Sequence, residues 1–372
     1  MKKNHFIFSI ITLVLLVVLI TSFNYFKTTN TYIDDSVNNH TKITKGISMN
    51  LEQTAGAGDY KTVTQSSWPT EGYKFNAELS RCENGSTLSW DDTKKAVIVS
   101  GNLSDKCYVY FDIYQPTLAE YIKSQYTGTQ GDNGIYYHDA SLTNGAGDNS
   151  YRYAGASDSV NNYICLGSDA ATCPDANLFR IIGVFGDQTK VIRAKSVGNQ
   201  KWDTNGSNTW SSSSLNTYLN GEYLTSLGTL ADKIATTTWK VGGGTYESIL
   251  TSVPATAYQY EVGSSASTTT VDKKIGLIYV TDYYYGASPS AWTLMGYNSD
   301  ATKDYRAATS TNWLYLGSYE WTISRNSDYT SRAFYVLSTG GVSDGSTVTE
   351  SYAARPSFNL LSSTTYVSGS GS

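Results

Sequence analysis

The residues from which chemistry could be built are few: three histidines (His5, His40, His138), four cysteines (Cys82, Cys107, Cys165, Cys173) and scattered carboxylates. The histidines stand far apart, so a histidine metal site or a histidine-activated nucleophile lacks its parts. Gly-x-Ser-x-Gly, a phosphate-binding loop and a dinucleotide fingerprint do not occur in a supporting context, and Gly242-Gly243-Gly244 lacks the following Lys-Ser/Thr. The run from Asp203 to Asn208 opens like a calcium loop. It then puts Asn208 where Gly is required and Ser214 where the bidentate Glu belongs, so it reads as a turn. No catalytic residue, metal or cofactor is expected, and the chain does not read as an enzyme.

Binding chemistry is better supplied. Trp313, Trp321, Arg325, Arg332, Tyr335 and Arg355 lie in one C-terminal block, where aromatic faces could stack on a sugar ring or peptide and Arg could donate bidentate hydrogen bonds. The competing reading makes the tryptophans core and pairs the arginines with Asp282, Glu320 or Asp328. The neighbouring loops 297–312 and 325–332 carry Tyr, Ser, Asn and Gly in paratope-like proportions. The candidate ligand-binding set is therefore Tyr297, Tyr305, Trp313, Trp321, Arg325, Tyr329, Arg332 and Tyr335. Tyr283-Tyr284-Tyr285 is either an exposed aromatic patch or the buried start of a helix.

Four cysteines in a chain lying mostly outside a membrane read as two disulfides. Cys82–Cys107 with Cys165–Cys173 is favoured of the three connectivities, because each pair stays within one proposed domain. A zinc site would need tighter spacing or nearby histidine.

The elements that hold these residues are mostly short strands. Charged residues make up 16%, against roughly 25% in an average soluble protein, while Tyr (31) and Gly (32) are abundant. A net charge of −5 without a basic stripe excludes a nucleic-acid partner. Lys2-Lys3 followed by the uncharged run 6–23 gives about 27 Å of apolar helix, so residues 1–27 read as a signal anchor or transmembrane helix, cytoplasmic at its start. Cleavage as a signal peptide is the alternative, although the exit at Thr21-Ser22-Phe23 fits it poorly. Residues 28–45 read as a linker, 46–114 as a small β-sandwich, 115–361 as a second domain and 362–372 as a flexible tail. Gln115-Pro116 marks the boundary. Leu178–Gly186 and Thr189–Val197 alternate around a Gly-Asp turn as a hairpin, and Trp210 to Leu224 shows helical spacing after a serine cap.

From Leu178 to about residue 361 the features LFRIIGVFG, KVIRAKSV, Trp210 with SLNTYLNGEYL, KIATTTW, IGLIYVTDYYY, NWLYLGSYEWTISR, AFYVLSTGGV and AARPSFNL together resemble an uncharacterised domain of bacterial surface and secreted proteins. That domain is similar to the C-type-lectin-like and formylglycine-generating (sulfatase-modifying) folds. The resemblance implies an α+β unit with short helices and long loops. It does not carry either activity across, because no Cys follows Cys173 and the calcium-binding triplets of lectins are not present.

The expectation is an α+β protein with an N-terminal transmembrane helix. It is held in the cell membrane by residues 6–23 as a single pass, its C-terminal bulk outside, and recognises a surface glycan or protein ligand without catalysis. A structural or pilus-associated subunit is the alternative, and a sulfatase-modifying type of enzyme a third.

Overall fold

The computed structural model describes residues 46–367 apart from 65, 66, 70 and 103. The run at 6–23 expected to span a membrane and the linker at 28–45 lie outside the described residues, as do residues 368–372 of the expected tail. Among the described residues no helix is long and apolar enough to cross a membrane. The chain divides into two compact units between Gln115 and Pro116.

The first unit contains β1 (Ile47–Glu52), β2 (Tyr60–Val63), β3 (Tyr73–Phe75), β4 (Arg81–Cys82), β5 (Thr87–Asp91), β6 (Ala96–Ser100) and β7 (Cys107–Ile113). Alternation in β7 buries Cys107, Val109 and Phe111 on one face. β1 pairs with β7 in parallel, from Ile47 opposite Cys107 to Leu51 opposite Phe111. β2 closes the free side of β1, while β3 and β4 both pair with β7, all antiparallel. The hairpin β5–β6 lies over this mixed sheet, with Trp90 edge-on to Phe111 at 5.6 Å. Cys82 and Cys107 are register partners and are joined by a disulfide.

The second unit opens with α1 (Leu118–Ser124), whose N-terminus is closed by a capping box between Thr117 and Glu120. Three strands follow: β8 (Ile135–Tyr137), β9 (Tyr151–Tyr153) and β10 (Tyr163–Cys165). The hairpin β11 (Leu178–Phe185) and β12 (Gln188–Arg193) turns at Gly186-Asp187. β13 (Asn199–Lys201), α2 (Ser214–Tyr218), β14 (Thr237–Lys240), α3 (Tyr246–Ile249), α4 (Pro254–Glu261), β15 (Thr270–Lys273), β16 (Ile275–Gly276) and α5 (Val280–Tyr285) come next. The chain closes with β17 (Glu320–Arg325), β18 (Ala333–Val336), β19 (Val342–Ser343), β20 (Ser351–Ala353) and β21 (Ser357–Asn359). One sheet runs β16-β21-β12-β11-β9-β8 with β10 on β11; a second runs β13-β20-β17-β18-β19; β14–β15 is a separate hairpin. A second disulfide joins Cys165 to Cys173.

This architecture corrects the expectation of an α+β, C-type-lectin-like fold; the run expected as a transmembrane helix lies outside the described residues. The described residues are mostly sheet, in several small sheets with few helices, and the longest of those, α4, has eight residues. Helices shorter than about 12–15 residues are marginal by themselves, so these exist only where packing holds them. The helix expected from Trp210 to Leu224 shows the reason. It fragments into a 3₁₀ turn at Trp210–Ser212, α2, a π turn at Leu219–Tyr223 around Gly221, and one last turn at Leu224–Ser226. Serine, glycine and asparagine punctuate the chain too often for long helices to persist.

Behind the second sheet, Arg355 and Glu320 form a buried bidentate pair, with Nε to Oε1 at 2.6 Å and Nη2 to Oε2 at 2.8 Å. Removing the arginine strands a buried carboxylate. Arg355→Met should therefore cost about 3–5 kcal/mol in denaturant unfolding, and adding Glu320→Leu should recover part of it. Equal stability of the single and double variants would contradict this. At Gly183 a Cβ would meet the Tyr151 carbonyl oxygen of β9 at 2.2 Å. Gly183→Ala should lower the melting temperature by roughly 5 °C, the equivalent of about 2 kcal/mol in a unit of this size; an unchanged melt would show that β9 yields freely.

Candidate functional site

The C-terminal aromatic and arginine block does not form one exposed platform. Trp313, Trp321, Tyr305 and Tyr335 are buried. Trp313 donates its Nε1–H to the Tyr153 carbonyl at 2.8 Å and lies under the Arg180 guanidinium at 4.6 Å. Tyr305 stacks on Tyr284 at 4.5 Å, and Tyr283, Tyr284 and Tyr285 are all buried. Arg325 donates to the Gly242 carbonyl. Arg332 stacks over Tyr329 at 4.3 Å, and Tyr297 sits under Arg306 at 5.0 Å. Of the eight candidates, Tyr297 and Tyr329 are the exposed ones. The turn at Asp203 is closed by its own backbone, since the carboxylate accepts from the N–H groups of Asn205, Ser207 and Ser214.

Trp321 and Tyr335 nevertheless belong to a site. They are register partners on β17 and β18, with rings edge-to-face at 5.6 Å. Tyr352 on the neighbouring β20 packs against Trp321 at 4.6 Å and Tyr335 at 4.9 Å. Tyr319, one residue before β17, stacks on Tyr352 at 5.0 Å and is 44% exposed. The result is an aromatic stair from a buried tryptophan through a half-buried tyrosine to an exposed one. The Ser346 hydroxyl lies 2.9 Å from the Tyr335 hydroxyl and 2.6 Å from that of Tyr352, so polar groups line one end of the stair. Burial pushes the Tyr352 phenol up from its ordinary value, which keeps it a neutral donor and acceptor at physiological pH.

Tyr319 was within reach of sequence reasoning, because residues two apart share a face of a strand and Tyr319 precedes Trp321 by two. Tyr352 was not, since its place depends on the parallel bridge of Glu320 to Ala353.

A second group of polar side chains is largely buried, with Asp148 at its edge partly exposed. Arg152 pairs with Asp148 at 2.6 Å and faces Asp282 at 3.6 Å; Lys190 donates to Asp282 at 2.5 Å. Glu261 accepts from the backbone N–H groups of Val280 and Thr281 and from the hydroxyls of Thr281 and Ser324. Burial pushes the Glu261 carboxyl up, and burial together with Arg152 holds His138 well below the ordinary histidine range. The gap lined by Arg152, Asp282, Gly286 and Trp313 is too tight to hold a water molecule. Among the described residues no His, Cys, Asp and Glu gather as metal ligands. Gly341-Val342-Ser343-Asp344-Gly345 has nucleophile-elbow spacing, but Ser343 ends a two-residue strand and its Oγ accepts from the Gly345 N–H at 3.1 Å.

Residues 186–362 match the model of a family described as a domain of unknown function (DUF6273). The matched segment holds the whole aromatic stair together with Lys190, Glu261 and Asp282, and begins in the turn between β11 and β12, so β8 to β11 lie before it. No curated protein and no solved structure matches the chain.

Proposed function

We propose that the protein is a binding protein of the cell exterior that recognises a surface glycan through the stair of Tyr319, Tyr352 and Tyr335, without chemistry of its own. The observation that carries this reading is the graded exposure of stacked rings beside aligned hydroxyls. A tyrosine face carries negative quadrupole density that attracts the polarised C–H bonds of a sugar ring, and its rigid side chain gives up little rotamer entropy on contact. The hydroxyls of Ser346 and Tyr352 add hydrogen-bonding groups beside that face. Two disulfides suit an oxidising exterior, and the apolar run at 6–23 supplies an anchor in the cell membrane.

The test is a glycan array probed with the full, disulfide-intact chain, followed by titration of whatever it retains. Tyr319→Ala should weaken binding about tenfold, the equivalent of roughly 1.4 kcal/mol, and Tyr260→Ala, an exposed ring elsewhere, should not. A blank array from folded protein, or a Tyr319→Ala variant that binds as before, would sink the proposal.

A further inference from the structure

The Lys190 ammonium and the Asp282 carboxylate meet at 2.5 Å with side chains only 7% and 3% exposed. Lys190 comes from β12, in the interior of the seven-stranded sheet, and Asp282 from the first turn of α5. Around Nζ stand the rings of Phe185, Trp239 and Tyr279 at 5.6, 5.5 and 4.8 Å. The amine therefore has one carboxylate in contact and aromatic faces around it. Burial draws the Lys190 amine below its ordinary range, with Asp282 acting in the opposite sense.

Two charges in so dry a place carry a desolvation cost that a neutral link between the same atoms would not. In bulk water the hydration of ammonium and carboxylate opposes their condensation; here that hydration is already lost. The acyl group is also prepared. Asp282 Oδ1 faces Arg152 Nη1 at 3.6 Å, and Oδ2 accepts the Tyr279 backbone N–H at 2.9 Å. Arg152 thus faces the oxygen on which negative charge would develop in a tetrahedral intermediate, and the Tyr279 N–H holds the oxygen that would leave. Glu261 holds the N–H groups of Val280 and Thr281, and so positions the turn that presents Asp282.

We propose that Lys190 and Asp282 condense to an intramolecular isopeptide bond, Nζ to Cγ, that joins β12 covalently to α5. A proton passes from Nζ to Oδ2, leaving a neutral amine and a carboxylic acid. The Nζ lone pair then adds to Cγ, and the negative charge gathers on Oδ1 opposite Arg152. A second Nζ proton moves to the Oδ2 hydroxyl, the Cγ–Oδ2 bond breaks, and water leaves. One C–N bond forms and one C–O bond breaks, with no oxidant, reductant or cofactor.

The test is the intact mass of the full chain, purified folded and then reduced. The expected mass is lower than that of the sequence by one water, and a protease digest should yield a branched peptide joining the segments of Lys190 and Asp282. Lys190→Met and Asp282→Ala should each restore the full mass whether or not they fold well. A folded wild-type chain with the full sequence mass overturns the proposal. So does a lost water that maps to one linear peptide, which would mark a cyclised Asp or Asn instead.

Discussion

The second unit depends on a constraint of charge rather than of shape: Asp282 must find its cations. Its carboxylate is reached by Lys190 from β12 and by Arg152 from β9, while Arg152 also serves Asp148. Glu261 at the end of α4 grips the first turn of α5 and takes the Ser324 hydroxyl from β17. Three strands and two helices thus share one dry polar layer. Lys190 sits opposite both Gly183 and Asn359 in the ladder, and a slip of one residue in β12 would turn it to the other face of the sheet. Greasy packing alone would tolerate neighbouring registers; a buried ammonium does not, because misplacement leaves it unpaired.

The aromatic stair is built on the other sheet, and its logic is a gradient. Trp321 is locked from behind through its Nε1–H to the Gln200 carbonyl at 2.9 Å, and each successive ring outward has more solvent on it. A ring fixed on a fixed ring presents a face whose orientation is set before any ligand arrives. That is the condition under which contact area converts into affinity with small ordering losses. The tryptophan and arginine residues that are prominent in the sequence are thus the foundation, and the tyrosines at 319 and 352 the working surface.

How much of this could be read from residues alone differs by range. The β11–β12 hairpin was legible from alternation around Gly186-Asp187, and the disulfide pairing from the position of each cysteine relative to Pro116. The fold class was not, because apolar residues at helical spacing around Trp210 and Leu215 do not reveal that the backbone changes from α to π at Leu219. Burial of Trp313 and Trp321 was one of two open readings, and only the packing of distant strands decides it. Lys190, Arg152 and Glu261 gave no signal at all. Arg152 has a near partner in Asp148, but the contacts that assemble the layer, Lys190 and Arg152 to Asp282 and Ser324 to Glu261, span 92, 130 and 63 positions, and no local period encodes a pairing of that span.

One feature of the first unit bears on how it would carry load. Among the described residues β1 is its first strand and β7 its last, and the two lie side by side in parallel. The chain therefore enters at one end of the pair and leaves at the other. Tension drawn through the two ends is directed along both strands in opposite senses, and it shears the whole ladder at once rather than opening it one bond at a time. Backbone hydrogen bonds loaded together resist far more than bonds loaded in sequence. The disulfide at Cys82–Cys107 ties β4 to the leading end of β7, so that strand cannot peel from its neighbour there. The small unit has the layout of a mechanical clamp.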